Sequence, residues 1–142
     1  MHMEAKEFLR QYQNTLIDIR NMEAEALELE EMALSITVNT ENERVQSSGS
    51  GDSMASLVAK ICDMKIMIME KRSLALDKLQ QVERVIAEVE NKDYRQLLHR
   101  RYIEGNTWEK IAVEMNYSYQ WICKLHGRAL PEIERILKAY DS

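Results

Sequence analysis

Apolar residues recur at alternating steps of three and four positions through two long stretches of this chain, and neither stretch contains glycine or proline. This spacing places the apolar side chains in one seam along a helix and is typical of coiled coils. The first stretch covers about residues 5–35, and its seam is formed by Tyr12, Thr15, Ile19, Met22, Ala26, Leu29 and Ala33. The pattern predicts a long amphipathic helix that needs a partner along its seam.

The second stretch resumes near Ser53, with Asp52 or Ser53 as the predicted N-cap, and Arg72 is the polar exception in its seam. Two such helices predict an antiparallel hairpin over residues 1–92. Because the core of a two-helix hairpin is thin, we expect a homo-oligomer or another partner. The seam is formed by Met54, Leu57, Ile61, Met64, Ile68, Ala75, Leu79, Val82, Ile86 and Val89.

The segment between the two stretches, residues 37–52, is rich in Asn, Ser, Gly and Asp, which predicts a loop. Two interpretations of it stay open. It is either a flexible linker or, in residues 47–52, an anion site formed by backbone N–H groups at a helix N-terminus. It lacks the Gly-Lys-Ser/Thr ending of a phosphate-binding P-loop, so nucleotide binding is not expected.

Charge and composition limit the classes of function. The 142 residues have a net charge of −5, with 11 basic and 17 acidic residues in 1–92 but 8 and 7 in 93–142. This asymmetry predicts an acidic arm and a near-neutral head. No apolar run approaches the roughly 18 residues of a membrane span. The two cysteines lie far apart in sequence, which favours free thiols in a reducing cytoplasm.

Three short helices are predicted in the head, residues 93–142. The first runs from Asp93 to about Ile103 and is ended by Gly105. Thr107 caps the second, which extends to about Met115, and Ser118 caps the third after a turn at Asn116-Tyr117. Two helices separated by so tight a turn predict a helix-turn-helix, whose second helix enters the major groove of DNA.

The rotation of the third predicted helix separates a core face from an outward face. Ile122, Leu125 and Ala129 share the inward side, and Ile111 of the preceding helix completes the predicted core. Gln120 and the side chains near it on the outward side are of types that read base edges or bind phosphates. Trp121 is interpreted equally well as a packing residue. The predicted DNA-binding residues are Thr107, Ser118, Tyr119, Gln120, Trp121, Cys123, Lys124 and Arg128.

Residues 97–130 resemble region 4 of sigma-70 factors. The similar elements are the Leu-x-x-Arg-Tyr sequence that ends at Tyr102, the run from Thr107 to Ala112, and the Ala129-Leu130 end of the recognition helix. With the loop from Glu43 to Asp52, nearly the whole chain resembles small phage and prophage regulators of the ArpU and RinA kind. The resemblance implies a transcription regulator of late genes in a bacterial host cell, which acts at promoters with RNA polymerase. In place of the Arg and Lys usual in sigma region 4, Tyr119, Gln120 and Trp121 stand on the exposed face.

The sequence thus predicts an all-α, non-enzymatic protein: a long antiparallel helical hairpin followed by a sigma-region-4-like head that binds double-stranded DNA. Two alternatives remain open, a DNA-packaging small subunit and a protein interaction module without DNA contact. No nucleophile, base and acid occur in a catalytic pattern. Cys123 with His126 is too small a set for a metal site, so no metal or cofactor is expected.

Overall fold

The computed structural model describes residues 3–42 and 49–141, and within them the chain is all-α, with no strand. Five helices follow one another: α1 (Ala5–Asn42), α2 (Gly49–Ala87), α3 (Lys92–Tyr102), α4 (Trp108–Met115) and α5 (Tyr119–Asp141). The predicted all-α class is therefore confirmed. Across the described ranges, no helix combines the length and the apolar character that crossing a membrane would require.

The two long helices extend further than predicted, so the loop assigned to residues 37–52 is wrong at both of its ends. Helix α1 continues to Asn42 and α2 begins at Gly49, ahead of the predicted N-caps Asp52 and Ser53. Thr37 lies within the helix and donates its hydroxyl to the Ala33 carbonyl oxygen (3.0 Å), so its side chain does not compete for the backbone N–H groups that the helix uses. Residues 43–48, with Ser47 and Ser48 of the proposed anion site, lie outside the described residues.

Residues 16–73 form one compact unit, built from the later part of α1 and the earlier part of α2. Ile19 and Ala26 of α1 and Leu57 and Ile68 of α2 are buried in it. Three ion pairs join the helices: Lys65–Glu30 (2.7 Å), Arg72–Glu23 (2.8 Å) and Lys71–Asp18 (3.7 Å). The earlier residue of α2 pairs with the later residue of α1, and the two later residues of α2 pair with earlier ones, as antiparallel helices require. The pairs are exposed to solvent, which screens them, so they contribute little to stability. Packing of the seam, including its half-buried members, supplies the main stabilisation.

The second compact unit combines residues 1–15 with residues 74–142. The compact units are thus divided differently from the predicted segments 1–92 and 93–142. The reason is a shared core in which the first turns of α1 and the last turns of α2 pack with α3 and α5. Its buried members are Ala5, Phe8, Leu9, Val82, Val85, Ile86, Val89, Leu98, Tyr102, Ala129, Ile133 and Ile136.

Helix α5 also exceeds its prediction, because it runs unbroken past Leu130 to Asp141 with Pro131 inside it. Proline lacks an N–H, so the carbonyl oxygen of Gly127 loses its usual helical partner. Both Gly127 and Pro131 are exposed, and that carbonyl can be hydrated instead. Beyond the proline, Ile133 and Ile136 are buried in the shared core, and this burial stabilises the continuation.

Candidate nucleic-acid interface

Helices α4 and α5 are joined by a tight turn whose backbone is determined by local sequence. Thr107 accepts a hydrogen bond from the Lys110 N–H (3.2 Å) at the start of α4, and Ser118 accepts one from the Trp121 N–H (3.1 Å) at the start of α5. Between them, Asn116 is left-handed (φ 61°, ψ 42°). Asparagine tolerates this conformation better than most residues. The predicted caps and the predicted turn are therefore confirmed.

The inner side of α5 has the rotation expected from its sequence. Ile122, Leu125 and Ala129 are buried, and Ile122 and Leu125 pack with Ile111 in a small second core. The other members of this core are Leu97 and Ala112, with Tyr94, Trp108 and Met115 packed at its edge. The predicted core residues are therefore correctly assigned, and the position of α5 follows from them.

All eight predicted site residues are exposed. Thr107 stands apart from the others, at the start of α4, and its hydroxyl is engaged as a cap. The other seven are Ser118, which precedes α5, and six residues in the first three turns of α5. At about 100° per residue, Gln120, Cys123 and Lys124 share the outward side with Gly127, which the sequence reasoning did not assign. A Cβ added at Gly127 would meet no atom within 4 Å, so the surface is open there.

The two flanks of α5 have different chemistry. On one flank the Arg128 guanidinium lies 5.3 Å from the centre of the Trp121 ring, a cation–π contact that orients both side chains. Trp121 is 37% exposed, so part of its ring packs against the protein and part is open to a partner, and both predicted roles remain open. On the other flank, a hydrogen bond between the side chains of Tyr119 and Cys123 raises the pKa of the tyrosine. Both contacts hold aromatic rings at the helix surface.

His126 is buried on the side of α5 that carries Tyr119. The sequence pattern did not predict its burial. His126 Nε2 and the Tyr102 hydroxyl share a hydrogen bond of 2.7 Å, and the Trp108 ring packs edge-on against the imidazole at 4.6 Å. Burial, followed by the positive charges of Lys6, Arg101 and Arg10, lowers the pKa of His126 to about 4. The imidazole is therefore neutral at pH 7 and belongs to the packing of the unit.

The same three cations form a basic patch that we define as Lys6, Arg10 and Arg101. The Arg101 guanidinium lies 4.4 Å from the centre of the Trp108 ring, and it donates to the Asn106 carbonyl oxygen (3.0 Å). The basic patch combines α1 with α3, whose members are about ninety positions apart in sequence. No local sequence pattern could have revealed it.

Metal binding has no support among the residues that the structure describes, where no group of three or more His, Cys, Asp and Glu side chains could hold an ion. Cys62 and Cys123 are both exposed free thiols. A cavity of about 430 Å³ lies beside α3, but its basic side chains are engaged. There Arg95 donates to the Val89 carbonyl oxygen, and Arg100 is paired with Glu114. The outward side of α5 remains the best candidate site.

Comparisons of this chain with known protein families, with curated proteins and with solved structures each gave no match.

Proposed function

We propose that this protein is a transcription regulator that binds double-stranded DNA through α5, with α4 and α5 acting as a helix-turn-helix of the sigma region 4 type. The observation that carries the proposal is the outward side of α5. It presents Gln120 and Lys124 on a helix whose opposite side is fixed by the burial of Ile122 and Leu125. A recognition helix that enters the major groove has this arrangement: one face is packed against the domain, and the opposite face is exposed to contact base edges.

The chemistry of the exposed side chains supports separate roles. The Gln120 amide can donate to and accept from one adenine edge at the same time, which reads a base. Lys124 and Arg128 are cations for phosphates, and the N-terminus of α5, capped by Ser118, favours negative charge. The Trp121–Arg128 contact supports a fixed geometry for the arginine. No residue is assigned a catalytic role, and the proposed location is the cytoplasm of a bacterial host.

The proposed mechanism is recruitment or stabilisation of RNA polymerase at phage or prophage promoters, as the resemblance to sigma region 4 implies. With a charge near zero, residues 93–142 alone make few phosphate contacts, so binding by one isolated head is expected to be weak. A polymerase partner or a second copy of the chain would supply the missing contacts.

The test is selection of bound sequences from a pool of random-sequence duplexes, followed by titration of the selected duplex at several salt concentrations, with and without bacterial RNA polymerase. Gln120→Ala should weaken binding to the selected duplex by about 1–3 kcal/mol and relax preference at one base position. Lys124→Ala and Arg128→Ala should weaken binding to all sequences and flatten its salt dependence. All three residues are exposed, so the variants should remain folded.

The matched control is Lys138→Ala, which removes an exposed cation from the last turns of the same helix. It should bind like the parent. If the three variants also bind like the parent under every condition, α5 is not the reader. A closed ring that binds DNA without any effect of polymerase would favour the packaging alternative. Absence of binding to any duplex would favour the interaction module.

We also propose that the unit of residues 16–73 associates with a second copy of itself. A groove of about 510 Å³ runs between its helices, and Leu27 and Met69 stand at it with 55% and 66% of their surface exposed. Glu30 and Glu23 on the α1 side of the groove are already paired with Lys65 and Arg72 on its α2 side, so the apolar side chains carry the proposed contact. A two-fold axis would bring the groove of one copy against the same groove of the other, as a self-complementary interface requires.

A further inference from the structure

Helix α1 is attached to the end of α3 by one polar side chain. Gln13 Nε2 donates to the carbonyl oxygens of Ile103 (3.0 Å) and Tyr102 (3.3 Å) at the C-terminus of α3, where the helix itself provides carbonyls with no partner. One turn earlier in α1, Leu9 is fully buried in the shared core. These contacts determine the rotation of the first turns of α1 and therefore the direction of their charged residues.

Lys6 and Arg10 lie on the same side of α1 as Gln13, because positions i, i+4 and i+7 of a helix are neighbours. Both are exposed and form no ion pair with any residue in the described ranges. The acidic residues of these turns, Glu4 and Glu7, are rotated about 160° and 100° away from Lys6. This side of α1 is therefore positive although the arm as a whole is acidic.

The basic patch (Lys6, Arg10 and Arg101) lies beside the proposed reading helix. Arg101 stacks on Trp108, whose ring packs edge-on against His126 of α5, and His126 is on the same side of α5 as Tyr119 and Cys123. The first turns of α1, which carry Lys6 and Arg10, pack with α5 in the shared core. At the Tyr119 side, the positive charge of Arg101 is opposed by the negative charge of Glu109.

We propose that the basic patch binds the phosphate backbone of duplex DNA alongside α5, so that the first turns of α1 form part of the nucleic-acid interface. This inference rests on the proposed function, and it names phosphodiester oxygens as the ligand of Lys6 and Arg10. When α5 occupies the major groove, a phosphate strand borders it on each side. Arg128 faces one strand, and the basic patch faces the other.

The test is the double variant Lys6→Gln/Arg10→Gln in the full chain, titrated with the duplex obtained by selection and with an unrelated duplex. The variant should lose affinity for both duplexes and keep the same base preference. The slope of log affinity against log salt is negative, and each lost phosphate contact reduces its magnitude by about 0.9. The slope of the double variant should therefore be less negative by about 2. Because both side chains are exposed, the circular dichroism spectrum and thermal midpoint should match those of the parent.

The matched control is Lys78→Gln/Arg84→Gln, which removes the same charge from another surface of the same unit. It should leave the salt slope unchanged. Equal losses in the two double variants would show a general charge effect and would overturn the inference. A parent that binds DNA through Gln120 but does not respond to the loss of Lys6 and Arg10 would overturn the inference alone. A parent that binds no duplex would overturn the proposed function together with it.

Discussion

His126 is 8% exposed and has a neutral imidazole at the centre of an aromatic and cationic environment. The Tyr102 hydroxyl satisfies one ring nitrogen, and Trp108 covers a side of the ring. Arg101, Lys6 and Arg10 would repel a proton on this ring, and burial deprives that proton of water. The histidine therefore links the stability of this unit to pH.

The first prediction concerns this linkage. The pKa of His126 is about 4 in the fold and 6.5 in the unfolded chain, so between these values the unfolded state binds more protons. The free energy of unfolding should be fully retained above pH 6.5 and decline as pH falls toward 4. Urea denaturation at a series of pH values measures it. His126→Gln, which cannot titrate, should give a flatter curve across this window, and parallel curves would contradict the assigned environment.

At the scale of helices, the features that sequence patterns predicted well are the local ones. The caps Thr107 and Ser118 and the left-handed Asn116 depend on neighbouring residues, and the inner side of α5 follows from its period. The ends of α1 and α2 and the passage of α5 through Pro131 were not predictable in this way. They depend on which hydrogen bonds and buried contacts remain available beyond the pattern.

The second prediction concerns two positions in α5. Gly127→Ala should stabilise the fold by about 0.5–1 kcal/mol, because alanine has the higher helix propensity and its methyl group meets no atom within 4 Å. Ile122→Ala, five positions earlier on the inner side, should instead cost about 2–5 kcal/mol, because the side chain is fully buried. Both values come from chemical denaturation.

The opposite signs of these two substitutions test the rotation of α5 directly. If Gly127→Ala destabilised the fold while Ile122→Ala cost less than about 0.5 kcal/mol, the side of the helix assigned to solvent would be wrong. The assignment of Gln120 and Lys124 to the outward side would then be wrong as well.

At the scale of the whole molecule, the structure separates residues that sequence order groups together. Lys6 and Arg10 belong to an acidic arm by composition, but they share a compact unit with α5. Their side of α1 is determined by Gln13 and by the burial of Leu9, contacts with residues far away in sequence. The basic patch therefore depends on tertiary packing, which no periodicity in the chain encodes.

The third prediction concerns self-association. Leu27→Asp and Met69→Asp should each convert the proposed dimer to monomer at concentrations where the parent remains associated, since a charge would enter an apolar interface. Sedimentation equilibrium measures the change. Both residues are exposed within one chain, so folding should be retained.

The matched control for self-association is Met32→Asp. Met32 is 53% exposed, comparable to Leu27, but it is rotated about 140° from Leu27 around α1. Its substitution should leave the dimer intact. A parent that is monomeric at all concentrations, or an equal effect of Met32→Asp, would contradict the proposed interface.

The unit that carries α5 is discontinuous in sequence, and this has a consequence for the order of folding. Residues 16–73 can close on themselves as soon as they have been synthesised, because their partners lie within one segment. Phe8 and Leu9, which precede that segment, share their core with Ile133 and Ile136, which are synthesised after it. Contacts of such long sequence separation form slowly, since the intervening chain must be ordered first. During synthesis, we therefore expect the core of the unit that carries the proposed DNA-reading surface to be completed after the unit of residues 16–73.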